Sequence, residues 1–179
     1  KHRPEDLLGL IEPAEFRRTL GKTYLGLGRA EAAEIHFLRA LELDQEALGP
    51  EHPETLASGH HLAWVLKELG RLDEAEEILR PVLEQREAVL GPEHRETLAT
   101  TLNLANVVYL LGRFDEAELI LDGLIPVQRR VLGESHSDTT TALNSLALVL
   151  SRQGKHDEAV AAAREALRLR RSTHGEDHG

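Results

Sequence analysis

The chain has 179 residues, 41% of them hydrophobic but only 3% aromatic, and a formal charge of −10 from 21 basic and 31 acidic side chains. An acidic balance of this size argues against non-specific binding to nucleic acid or an anionic membrane surface, both of which need clustered positive charge. There is no cysteine, hence no disulfide, thiolate metal site or cysteine nucleophile, and no stretch approaches the ~18 apolar residues of a membrane span.

Residues 1–11 do not match the segments that follow; Leu7, Leu8, Leu10 and Ile11 either cap the first helix pair or belong to a linker. Apolar residues at helical spacing then predict a first helix at about 14–27 and a second at 31–47. The next pair shows the unit most clearly. Leu56, Leu62, Ala63, Leu66 and Leu69 form one stripe, and Gly70-Arg71 interrupts it as a glycine does just past a helix end. Asp73-Glu74 places acidic side chains at the start of a new helix, where they favour its exposed N–H groups. That helix carries Ala75, Ile78, Leu79, Val82, Leu83, Val89 and Leu90 and ends at Gly91-Pro92. The predicted first members of the pairs, the A helices, span 14–27, 55–69, 97–111 and 139–153. The B helices span 31–47, 73–90, 115–131 and 157–172. Pro81 and Pro126 fall inside B helices, where proline removes a hydrogen bond, so kinks are expected toward the carbonyls of Glu77 and Asp122, or else two shorter helices.

The segments repeat every 42 residues without insertion: Gly49, Gly91, Gly133 and Gly175, then His52, His94, His136 and His178. A second ladder holds Gly28, Gly70, Gly112 and Gly154, with Ala33, Ala75, Ala117 and Ala159 where a close crossing of A and B helices needs a small side chain. A fixed period means a stack of one supersecondary unit, each copy burying its face on the next. His174 to Gly179 reproduces the connector that introduces an A helix in the earlier copies. With no methionine and Lys1 at its start, the chain is expected to be part of a longer one, with more repeats after Gly179.

Leu62-Ala63 with Gly70-Arg71-Leu72-Asp73-Glu74-Ala75-Glu76 resembles a tetratricopeptide repeat, in a form longer than the usual 34 residues. The connector Leu48-Gly49-Pro50-Glu51-His52-Pro53-Glu54-Thr55, its copy from Leu90 to Thr97, and Leu143-Asn144-Ser145-Leu146-Ala147 resemble the kinesin-light-chain subtype. The resemblance covers residues 12–179, as repeats at 12–53, 54–95, 96–137 and 138–179. It implies an all-α, right-handed solenoid of four antiparallel helix pairs, whose A helices line a concave groove that receives an extended peptide. The same subtype occurs in bacterial signalling proteins, and the Arg- and Ala-rich, Lys-poor composition looks more like those.

In this family the groove-facing positions lie three before, and one, four and five after, the small residue Gly21, Ala63, Ala105 or Ala147. They hold Arg18, Lys22, Leu25 and Gly26; His60, Trp64, Lys67 and Glu68; Leu102, Asn106, Tyr109 and Leu110; and Asn144, Leu148, Ser151 and Arg152. His61 and Asn103 stand at the groove edge. Arg18, Lys22, Lys67 and Arg152 face Glu68 alone in a chain that is acidic overall, which points to an acidic partner. Asparagine pairs with a peptide's backbone N–H and C=O together, which suits an extended strand of varied sequence.

The recurring histidines do not make a metal site. Each sits on a different repeat, too far from the next for one ion to join them at ~2 Å, and a structural part in the connector, with Pro53 in the first helical turn, is expected instead. No nucleophile signature surrounds Ser145, His60 or His61, and the glycines are helix punctuation rather than a phosphate loop. A heat-shock chaperone clamp is disfavoured, since Ala99 stands where that class has lysine and His61 where it has asparagine, although Asn103 matches. The expectation is a non-enzymatic cytoplasmic scaffold for a protein or peptide ligand, without metal, cofactor, nucleic acid or membrane. The alternative is a regulatory module docking on an attached kinase or nucleotide-switch domain. Self-association through exposed solenoid ends is a further possibility.

Overall fold

A computed structural model describes residues 13–175, with side chains described as far as Arg171. Among the described residues the chain is all-α, with eight helices and no strand: α1 (Ala14–Gly26), α2 (Ala30–Leu48), α3 (Pro53–Glu68), α4 (Leu72–Leu90), α5 (Arg95–Leu110), α6 (Phe114–Val131), α7 (Ser137–Arg152) and α8 (His156–Gly175). Odd-numbered helices are the A helices and even-numbered ones the B helices. The capping or linker role expected of residues 1–11 lies outside the described residues. They fall into two compact units, the first ending at Gln85 and the second starting at Arg86. In the first, α1 packs on α2 and α2 on α3. In the second, α5 packs on α6, α6 on α7 and α7 on α8, and α5 also touches α7.

The helix boundaries follow from the repeated residues. Gly70 has φ +76°, the left-handed region that favours glycine, and the turn closes with N–H bonds from Gly70 to the Lys67 carbonyl (3.0 Å) and from Arg71 to the Leu66 carbonyl (2.9 Å). The connector histidines cap the A helices. His52, His94 and His136 each accept, at Nδ1, the backbone N–H two residues on, from Glu54 (3.2 Å), Glu96 (3.3 Å) and Asp138 (3.1 Å). Accepting there places the ring proton on Nε2, and Pro53 fills the first helical turn of α3. His94→Ala is therefore expected to cost about 1 kcal/mol, with His94→Asn retaining most of it, as read from urea unfolding.

Close crossings explain the small residues. Gly21 is buried, and a Cβ built on it would lie 2.8–2.9 Å from the ring of Phe37, itself fully buried. One and two periods on, the same two registers hold Ala63 with Leu79 and Ala105 with Leu121, all buried. The larger B-helix side chain thus goes with the smaller A-helix one. Gly59 of α3 likewise faces Val82 and Ile78 of α4.

The helices α4 and α6 run unbroken through Pro81 and Pro126, so the alternative of two shorter helices does not hold. Both prolines are exposed, as are Glu77 and Asp122, the residues whose carbonyls lose a helical partner. Helix α8 continues to Gly175, a few residues past the expected end near 172.

One register of the B helices is buried yet polar. It holds Asp44, Arg86 and Gln128. Arg86 donates to Thr100 Oγ1 (2.7 Å) and to the Glu96 carbonyl (2.9 Å), and pairs with the Glu96 carboxylate (3.0 Å). Burial holds its guanidinium below the usual arginine value, and Glu96 opposes that shift. At the third copy Ala142 replaces the hydroxyl that Ser58 and Thr100 supply to the first two.

Candidate functional site

In the first unit the candidate residues lie on α1 and α3. Arg18 was expected as one of four cations on an open strip, but its side chain is only 13% exposed. It donates to Asp44 Oδ2 (2.6 Å), reaches Ser58 Oγ (3.4 Å) and pairs with Glu54 Oε2 (2.5 Å). Its charge is neutralised within the fold. Lys22 is exposed and lines an open depression with Glu15, Thr19 and Glu54. Lys67, mostly buried, pairs with Glu68 (3.1 Å). Carboxylates therefore offset much of the positive charge that sequence spacing alone assigned to this face. His61 packs on Phe37, with ring centroids 5.2 Å apart, and His60 stands edge-on to His61 at 5.7 Å. Trp64 remains 38% exposed.

In the second unit α5 and α7 lie side by side. Ser145 Oγ donates to Asn106 Oδ1 (2.8 Å), and Arg152 Nε donates to the Tyr109 hydroxyl (3.3 Å). These bonds bring Asn106, Tyr109 and Arg152 onto one surface. Asn103 and Asn144 are half-buried on the same two helices. Leu110 and Leu148 are 50% and 55% exposed, although most apolar residues of α5 and α7 are buried.

Register explains which positions are open. Three before the small residue come Arg18, His60, Leu102 and Asn144; Leu102 is buried and the others are half-buried, so this register lies against neighbouring helices. Leu102 was expected on the open face and is not there. One after the small residue come Lys22, Trp64, Asn106 and Leu148, and five after it come Gly26, Glu68, Leu110 and Arg152. All of these except Asn106 are exposed. Spacing missed Asp44 and Glu54, the carboxylates that neutralise Arg18, and Ser58, which accepts from it, because they lie on other helices.

The family model described as tetratricopeptide repeat matches residues 14–81, 60–122 and 98–172. The chain belongs to the tetratricopeptide repeat family. Among solved structures, a Podosopora anserina putative kinesin light chain with nearly identical tetratricopeptide-like repeats is 25% identical, covering 89% of this chain and 76% of that one, with a TM-score of 0.72. BtubC (BKLC) from P. vanneervenii is similar in fold, at 20% identity over 98% of this chain and 68% of that one, with a TM-score of 0.79. So is a Rap protein complexed with Competence and Sporulation Factor, at 18% identity over 87% of this chain and 42% of that one, with a TM-score of 0.75. No curated protein matches the sequence. The tetratricopeptide repeats here are of the kinesin-light-chain-like type, and the architecture is that of a protein-interaction scaffold. No helix among the described residues is long and apolar enough to cross a membrane.

Proposed function

We propose that the A-helix face of each unit binds an extended peptide segment carrying carboxylates and apolar anchors, with repeats at 12–53, 54–95, 96–137 and 138–179 each supplying one A helix. The observation that carries this reading is the surface of α5 and α7. Exposed Leu110 and Leu148 stand there beside the amides of Asn106 and Asn144, with Arg152 held by Tyr109. Leucines kept at a surface amid hydrogen-bonding groups suit a strand whose side chains alternate between anchor and solvent, while the amides bond its backbone. In the first unit Trp64 supplies the apolar contact and Lys22 the accessible cation, with His60, His61, Lys67 and Arg18 as support around them; in the second unit Asn103 supports Asn106 on α5.

Lys22→Glu combined with Arg152→Glu tests the acidic character. Both side chains are exposed, so the fold should survive. Affinity for proteins recovered with the wild-type chain is expected to fall roughly tenfold, with a weaker dependence on salt. Unchanged binding to every recovered protein, by a variant with normal circular dichroism, overturns the acidic-segment reading.

A further inference from the structure

The B helices of the second unit carry a feature that A-helix binding does not use. Between α6 and α8 lies a crevice of about 370 Å³. Leu143, Leu146 and Leu150 of α7 line it, and Asp122 on α6 and Glu158 on α8 belong to its walls. The equivalent crevice in the first unit is smaller, about 240 Å³, and Ile78 lines it. The size difference follows from sequence. At the registers where α4 has Glu77 and Ile78, and α6 has Leu119 and Ile120, α8 has Ala161 and Ala162. Two wall side chains are cut back to a methyl.

The charges at this crevice are unevenly met. Arg129 pairs with Glu165 (2.8 Å) and Lys155 with Glu118 (2.5 Å). Asp122 and Glu158 are exposed and have no ion-pair or hydrogen-bond partner among the described residues. Desolvation, and then the neighbouring charge of Glu118, push the Asp122 carboxyl above its ordinary value, with Glu158 adding to the rise and Lys155 opposing it. The negative field at the rim is thus under-compensated, and an added cation would relieve it.

We propose that this crevice is a second docking site, which takes a basic amphipathic peptide segment: an aliphatic side chain against Leu143, Leu146 and Leu150, flanked by lysine or arginine at Asp122 and Glu158. Apolar contact supplies the anchor, and the two carboxylates select the sign of the flanking charge. The site is independent of the A-helix face and stands whether or not that face binds a peptide.

The probe is a short blocked peptide with one leucine between pairs of lysines, titrated into the protein and followed by amide resonances. Shifts are expected at Ile125, Ala161 and Ala162. Ala162→Ile installs the residue that Ile78 and Ile120 place at this register, so the helix tolerates it, and it should weaken binding at least roughly tenfold by filling the floor. Asp122→Asn with Glu158→Gln changes only exposed groups and should weaken it roughly fivefold, with loss of salt dependence. The same peptide with glutamate for lysine, or glycine for leucine, should not bind. Shifts centred on α5 and the exposed residues of α7 instead, an Ala162→Ile protein that binds as tightly as wild type, or equal binding of the glutamate peptide would each overturn the proposal.

Discussion

Gly21→Ala is expected to lower stability by about 1–2 kcal/mol, and adding Phe37→Leu to restore most of the loss. Alanine normally stabilises a helix interior relative to glycine, by about 0.5–1 kcal/mol, so propensity alone predicts the opposite sign. Packing decides it. The new methyl would stand 2.8–2.9 Å from the Phe37 ring, and that ring has no exposed edge toward which to move. The double variant reproduces the pairing of Ala63 with Leu79 at the next copy. Urea unfolding of the two single variants and the double variant gives the coupling energy directly. Additive losses would mean that the two side chains do not press on one another.

The largest loss is expected from Asp44→Ala, at about 3 kcal/mol. Asp44 is 3% exposed and accepts from both Arg18 (2.6 Å) and Ser58 Oγ (2.6 Å). Its removal leaves a mostly buried guanidinium with only Glu54, itself largely in water, as a charged partner. Most of the penalty is that stranded charge rather than the worth of the pair. Replacing both members, Arg18→Met with Asp44→Leu, should therefore recover most of the stability. A loss below about 1 kcal/mol for Asp44→Ala would show that water reaches the pair, which the burial of Asp44 contradicts.

These two effects mark what a sequence of this kind reveals. Helix positions are legible because their signals are local: a left-handed glycine after each A helix, an imidazole two residues before the N–H it caps, an alanine at each close crossing. The pairing of Gly21 with Phe37 is half legible, since a small residue is visible but its partner lies on another helix. Arg18 misleads for the same reason. Its charge looked available because Asp44, Ser58 and Glu54 are far off in sequence, whereas folding brings all three to it. The polar register of Asp44, Arg86 and Gln128 left a signal that could have been read, three polar residues at the repeat spacing in stripes otherwise apolar. Leu102 shares a register with Arg18, and both turn inward; the sequence shows a leucine at a position assigned to the open face, but not the adjoining helix that covers it.

Selection from a library of short random peptides tests the central claim that the A-helix faces bind an extended, carboxylate-bearing segment. Peptides enriched on the wild-type protein should combine aspartate or glutamate with an aliphatic or aromatic residue. Those selected peptides should lose affinity on Trp64→Ala or on Asn106→Ala with Asn144→Ala, while Ile35→Ala, on an exposed part of a B helix, leaves them unaffected. Enrichment without acidic residues, or selected peptides that bind the Trp64 and asparagine variants as tightly as wild type, would contradict it.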